Sequence, residues 1–511
     1  MQSLMHRLME RFKGLSSMVA GFRPEKIFMV WLLSFAALYL RNRIRRILRQ
    51  RKAEDGQQRL ENVVAGGEKD TVVVRGKTFT LVANAEDDDG VDLGWSGTMQ
   101  YWIPVLVFGI EAVQISILGE KAFKLRGYTP IQRGVIQVIL FFGLLPILDL
   151  AMGDDWTNPT KAQIKDRRLA NRFRLPLYTW CAVEALGTLS IYNLVFSTTS
   201  KLSRGNRLAL LATLALFNGA FGITISHELL HKQSVFEKSL GYFLLTNVNY
   251  VHWGEEHLSG HHETVATPED PATSRRGETL YAFLPRTFVG GLMSSCKLEE
   301  QRLRLEQNVP AGQPVNWYVP NNRIFLGFGA SALWAAFLAK YVAKDWRAVP
   351  VFYVQGAVSA LLLEVINYVE HYGLERRKLA DGSYEPVTPV HSWNAPNRLS
   401  NAILYKLQRH SDHHTFASRP YEILRNCAES PQLPTGYPGC FVMAFVPPVW
   451  FNIMDDLLKA HHLEYHGDRA ATAEEMTLAA SLKTHAKVKT WMFSVLGLGA
   501  VSTAVMRMVR N

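Results

Sequence analysis

Histidines define the chemistry open to this chain. His227-Glu228-Leu229-Leu230-His231-Lys232 follows directly on a long apolar run at 208–225. Three more histidine stretches come after it: Glu256-His257 with Gly260-His261-His262, then Asn367-Tyr368-Val369-Glu370-His371, then His410-Ser411-Asp412-His413-His414. Six of the 16 histidines fall between 227 and 262, where an even spread would put about one. His227 and His231 are four apart, so on a helix they share a face and can reach one metal ion. His257 and His261 repeat that spacing, with His262 adjacent, and His410, His413 and His414 supply spacings of three and four. Imidazole serves iron, copper, zinc and nickel, so spacing alone leaves the metal open. Glu228, Glu256, Glu263, Glu370 and Asp412 lie beside the stretches, as partners that fix imidazole tautomers or as occasional ligands.

The other histidines read differently. His6, His252, His391 and His485 are isolated and read as core or solvated residues, and His461, His462 and His466 read as a structural or solvated group. The first five residues of the opening stretch satisfy the His-Glu-x-x-His pattern of zinc proteases. A protease needs one further ligand and has no use for eight or more histidines. Cys181, Cys296, Cys427 and Cys440 are far apart and form no Cys-x-x-Cys, which argues against a disulfide framework, a cysteine-held metal and a fused rubredoxin-like iron site.

Positioning these stretches falls to apolar helices. Runs at 99–118, 134–152, 175–196, 208–225, 324–342 and 349–365 predict an all-α integral-membrane bundle of six spans. With six spans, the segments 53–98, 154–174, 227–321 and 367–435 share one side. That side carries the denser Lys/Arg loops, so it is expected to be cytoplasmic, and all four histidine stretches lie on it. The net charge of +11 is concentrated beside the apolar runs, a membrane-flanking pattern rather than a nucleic-acid face. Three divisions result: an N-terminal extension, 1–98, with a candidate interfacial helix at 1–26 and a candidate anchor at 27–40 followed by a basic segment; a membrane body, 99–460; and a C-terminal extension, 461–511, with an apolar helix at 491–505. Alternation around Gly76 predicts a small hairpin. An interfacial or re-entrant segment is expected at 240–251, and Pro447-Pro448 should break the apolar run 442–454. Glu111, Asp149, Glu184 and Glu364 lie within spans, where acids are costly, and are candidates to face the interior and support the histidines; Asp149 reads equally well as a helix cap.

HELLHK (227–232), EHLSGHHETVATPEDPA (256–272), NYVEHYGL (367–374) and LQRHSDHHTFASRPYEILR (407–425) together resemble the signature of the membrane-bound alkane 1-monooxygenase family, within the fatty-acid desaturase and hydroxylase superfamily. The last two stretches are the specific ones, and the resemblance covers about 95–460. It implies nine iron-binding histidines, His227, His231, His257, His261, His262, His371, His410, His413 and His414. It also implies two non-haem iron ions, dioxygen as oxidant, and electrons from a separate rubredoxin-like donor and its reductase. The implied reaction is terminal hydroxylation of an alkane, or a similar apolar chain drawn from the bilayer, to a primary alcohol. Chemistry agrees: a terminal C–H bond offers no acid–base handle, so a cofactor must do the hard step. A lipid desaturase or hydroxylase is the nearest alternative enzyme, and a metal transporter or sensor the non-enzyme one. The gathering of all four stretches on one side counts against the latter. A bacterial inner membrane and an organellar one such as the endoplasmic reticulum fit the sequence equally.

Overall fold

The computed structural model describes residues 71–74, 77–80, 90–165, 171–465 and 471–510. The segment 1–26, the anchor expected at 27–40, His6 and His466 lie outside the described residues. The departure from an all-α architecture is the expected hairpin. Its strands β1 (Thr71–Val74) and β2 (Lys77–Thr80) pair antiparallel, with Thr71 opposite Thr80 and Val74 opposite Lys77.

Among the described residues, the other regular elements are helices, joined by loops that carry isolated β-bridges. In chain order come α1 (Ser96–Leu118), α2 (Pro130–Met152), α3 (Asn171–Phe196), α4 (Arg204–Leu230), α5 (Val235–Asn247) and α6 (Val251–Glu256). They are followed by α7 (Leu280–Glu306), α8 (Arg323–Ala343), α9 (Ala348–His371) and α10 (His410–Thr415), then α11 (Tyr437–Ala444), α12 (Pro447–Glu464) and α13 (Ala473–Arg510). Starts are marked by side-chain caps: Thr129 forms a capping box with Gln132 before α2, Ser203 accepts from Asn206 N, and Asn322 accepts from Phe325 N. Pro447-Pro448 opens α12 and separates it from α11, as the sequence predicts. The stretch 227–321, polar in sequence, holds α5, α6 and the 27-residue α7, whose mixed apolar and charged halves hide its helical period.

Among the described residues, five helices, α1, α2, α4, α8 and α9, are long and apolar enough to cross a membrane. The run at 175–196 does form a helix, α3, and its 26 residues give it the length. It is not among the five, since Thr179, Glu184, Thr188, Ser190 and Asn193 lower its apolar content. Helix α3 packs on α1, and α4 packs on α9. The α4–α9 approach is close at Gly219, where a Cβ would come within 2.7 Å of Ser359 O.

Glu111, Asp149, Glu184 and Glu364 are all buried, and their hydrogen bonds and ion pairs join helices. Glu111 on α1 pairs with Arg133 and accepts from Gln137 Nε2 (3.3 Å), both on α2. Asp149 accepts from Leu399 N (2.9 Å) and Ser400 N (3.0 Å), capping the short helix Arg398–Ile403. Glu184 accepts from Trp180 Nε1 (2.7 Å) and Asn247 Nδ2 (2.8 Å). Glu364 on α9 accepts from Tyr250 OH (2.6 Å), Thr287 Oγ1 (2.6 Å) and Asn367 Nδ2 (3.2 Å). Each acid has at least one partner on another element, and these contacts offset the cost of burying it. Glu364→Leu strands three donors and should destabilise the bundle by about 2–4 kcal/mol, read as a lowered unfolding temperature in detergent. Glu364→Gln should lose less; equal stability of both variants and the wild type would refute this role.

Candidate metal centre

The four histidine stretches meet at the ends of α4 and α9. His227 lies in the last turn of α4 and His231 caps it, His371 ends α9, and His410, His413 and His414 sit on α10. Their nitrogens converge in two groups, each with its ligand atoms within 4.8 Å of one another. One group holds His227, His231, His257, His262 and His413; the other holds His261, His371, His410 and His414. In the five-histidine group, Nε2 of His227 is 2.9 Å from Nε2 of His413, and Nε2 of His257 is 3.1 Å from those of His231 and His262. In the four-histidine group, Nε2 of His410 is 3.2 Å from that of His371 and 2.9 Å from that of His414. The four-histidine group is fully buried, whereas His231 and His262 leave the larger group half-open.

Helical spacing accounts for two of the stretches and fails for the third. His227 and His231 share a group, as do His410 and His414, and His413, three residues along, crosses to the other group. His257 and His261 divide between the groups, contrary to the shared face their spacing predicts. The reason is that His257–His261 forms a π turn. Its i to i+5 repeat brings His257 and His262 onto one side and turns His261 to the other.

Burial, reinforced by neighbouring imidazoles, pushes His231, His257, His262, His410, His413 and His414 well below the ordinary histidine value. They are therefore neutral, the form that binds a metal. At His261 burial acts the same way, but Asp270 overrides it and raises the imidazole to about 9. Asp270 Oδ2 lies 2.9 Å from His261 Nδ1 and accepts from Thr273 Oγ1 (2.6 Å), while its Oδ1 accepts from Ala272 N (2.9 Å). Burial would raise the Asp270 carboxyl; His261 and these hydrogen bonds hold it below its usual value. An ionised Asp270 accepts a hydrogen bond from His261 Nδ1–H and leaves Nε2 to face the group. Nine convergent imidazoles, mostly neutral and in two compact sets, fit a pair of transition-metal ions.

Asp270 was legible only as part of the stretch 256–272. Its distance of nine residues from His261 hides it when carboxylates are sought immediately beside histidines. Of the carboxylates nearer in sequence, Glu370 touches one of the nine imidazoles, while Glu228, Asp412 and Glu256 have partners elsewhere. Glu228 pairs with Lys232 and accepts from Tyr421 N (3.2 Å). Asp412 pairs with Arg419 and accepts from Arg425 N (2.9 Å), and Glu263 is exposed. Glu256 lies 3.5 Å from Ser294 Oγ, and Glu370 Oε2 lies 3.2 Å from His410 Nε2. Neither group includes His252, His391, His461, His462 or His485. His252 packs against Tyr250 and Phe328, His391 lies 3.2 Å from Glu385 Oε1, and His461 stacks on Tyr465.

A small cavity adjoins the larger group, and an apolar space shares part of its wall. The cavity is bounded by Thr224, His227, Glu228, Tyr405, Leu407, His413 and Leu424. The apolar space, between α2, α4, α9 and α11, is lined by residues including Phe141, Phe217, Phe221, Leu362, Ile366 and Phe441, and it shares Thr224 and Leu407 with the cavity.

The family model described as "Fatty acid desaturase" matches residues 206–444. Alkane 1-monooxygenase 1 of Pseudomonas aeruginosa is 38% identical over 329 residues, covering 64% of this chain and 83% of that protein. The alkane 1-monooxygenase of Acinetobacter baylyi is 35% identical, covering 71% of this chain and 84% of that protein. A more distant match is the xylene/toluene monooxygenase hydroxylase component of Pseudomonas putida, 26% identical over 56% of this chain and 72% of that protein.

Proposed function

This chain belongs to the alkane 1-monooxygenase family, and on that premise we propose that it hydroxylates the terminal carbon of alkanes, or of similar long apolar chains, to give primary alcohols. One observation carries the reading: an apolar space among the helices shares residues with a small cavity walled by His227 and His413, two members of the five-histidine group. An alkyl chain lying among Phe141, Phe217, Phe221 and Ile366 would have its end directed at those imidazoles. The nine histidines would hold two iron ions, His227, His231, His257, His262 and His413 one of them and His261, His371, His410 and His414 the other. Bound iron would supply the redox chemistry that lets dioxygen attack an unactivated C–H bond. The chain's own residues bind, orient and exclude water. Phenylalanine and leucine walls admit only apolar substrate, Asp270 fixes the His261 tautomer, and Glu364 ties α9 to Tyr250 and to Thr287 on α7.

In this reading α3 is the sixth span and residues 99–460 are the catalytic body. The basic loops favour a cytoplasmic side for the histidine centre. His231 and His262, the half-open ligands, face the side from which a separate rubredoxin-like donor, served by its reductase, would deliver electrons. The desaturase family model favours a second reading, an acyl desaturase or hydroxylase working with the same metal chemistry. Turnover of an alkane chain-length series and of a fatty acid, with a rubredoxin and its reductase and with iron determined on the same sample, decides between them. The expected product is the 1-alkanol. Alkenes or internal alcohols would transfer the chain to the second reading, and tightly bound zinc without iron would reject both.

A further inference from the structure

The small cavity beside His227 and His413 has a volume of about 10 Å³, room for about one water-sized group. Most of its polar walls are committed. Thr224 Oγ1 donates to Ala220 O (2.8 Å), and Glu228 is held by Lys232 and by Tyr421 N. His227 and His413 turn their Nε2 atoms toward each other at 2.9 Å. Leu407 and Leu424 offer no polar atom. Tyr405 is different: it is buried, and its hydroxyl has no hydrogen-bond partner.

The ring of Tyr405 is fixed. It stacks on Tyr101 with centroids 6.0 Å apart and planes at 18°, and meets Tyr421 edge-on at 5.5 Å. Its backbone lies in the left-handed region, φ 51°, and so does that of Lys406, φ 53°. Two consecutive residues with side chains rarely adopt that conformation, and strain of this kind gathers at functional positions. The strained pair is tied down by Lys406 N, which donates to Asn401 O (2.8 Å), and by Lys406 Nζ, which donates to Glu422 O (2.8 Å). Burial pushes the phenol above its ordinary pKa, so it remains a neutral O–H donor. A stranded donor in a fixed ring is costly unless some ligand supplies an acceptor.

We propose that the Tyr405 hydroxyl donates a hydrogen bond to the oxygen of a primary alcohol held beside His227 and His413, and so marks where the functionalised end of the alkyl chain rests. The inference depends on the reading of the centre as an alkane hydroxylase. An alkane brings no acceptor to the cavity, whereas its terminal alcohol brings one within a space sized for one such group. The site therefore holds the product's oxygen more firmly than the substrate's methyl end.

Binding separates the two. The full-length protein in lipid nanodiscs is titrated with 1-decanol and with decane by calorimetry, with empty nanodiscs as the blank. Tyr405→Phe keeps the ring and removes the donor, so it should weaken 1-decanol binding about five- to tenfold and change decane binding by less than about twofold. Unchanged 1-decanol binding, or an equal loss for both ligands, overturns the proposal and leaves Tyr405 a packing residue. Tyr421→Phe is the control, because its hydroxyl donates to Phe173 O (2.8 Å); an equal loss of alcohol preference there also overturns the assignment. A second readout needs no variant: 1-decanol, and not decane, should perturb the near-ultraviolet absorbance of a buried tyrosine, and its absence in the wild type counts against the proposal. If decane yields no 1-decanol while Tyr405→Phe still loses alcohol affinity, the hydroxyl site stands and the proposed reaction fails.

Discussion

His371→Ala should abolish alkane hydroxylation and lower bound iron, while His485→Ala should change neither. His371 is fully buried at the end of α9, with its Nε2 3.2 Å from that of His410 and its ring 4.9 Å from His261 and 5.1 Å from His414. It belongs to the four-histidine group, so alanine leaves that group three donors and an apolar gap that water cannot easily fill. The expected outcome is a turnover loss of more than about a hundredfold, with iron falling from about two per chain toward about one. His485 is exposed on α13 and lies outside both groups, so its loss costs neither metal nor turnover. Product analysis and elemental analysis on the same preparations make the check. An active His371→Ala enzyme with full iron would end the nine-histidine assignment.

The next largest effect belongs to Asp270. Asp270→Asn preserves shape and removes the charge that receives the His261 Nδ1 proton at 2.9 Å. The amide must also satisfy Thr273 Oγ1 and Ala272 N, so one of three donors faces an NH2 group or the side chain rotates away. Iron affinity or turnover should fall about ten- to a hundredfold, the usual cost of losing a carboxylate behind a metal-bound imidazole. Chelator competition measures the affinity, and the unfolding temperature of the metal-free protein shows whether the fold is intact. If iron affinity and turnover stay at the wild-type level, Asp270 only closes its loop.

The convergence of the stretches was foreshadowed by the sequence because chemistry and helical period coincide there. His227 with His231 and His410 with His414 need no more than an α-helical turn, and apolar runs of span length needed only hydropathy. What stayed hidden depends on departures from regularity or on contacts between distant residues. Asp270 acts across a loop that no period describes. Glu111, Asp149, Glu184 and Glu364 look in sequence like candidates to support the histidines, yet each is bound to a residue on another element, which only the folded bundle brings near. Helix α7 was invisible because apolar residues in its first half and charges in its second suppress one continuous amphipathic stripe. The unpartnered hydroxyl of Tyr405 depends on everything around it being already paired, a property of packing rather than of residue type.

The π turn at His257–His261 makes chain length itself a coordination variable. A run that supplies donors to both groups does so because it contains one residue more per turn than an α-helix would need. Deleting exposed Ser259 would keep all nine histidines and still redistribute them, since an α-helical turn would put His261 three residues and His262 four residues from His257, drawing His261 onto the face of His257 and away from the four-histidine group. For anyone transplanting this centre into a designed bundle, copying the histidines is therefore insufficient: the insertion travels with them, and a tally of ligands that ignores indels would rate the two scaffolds as equal.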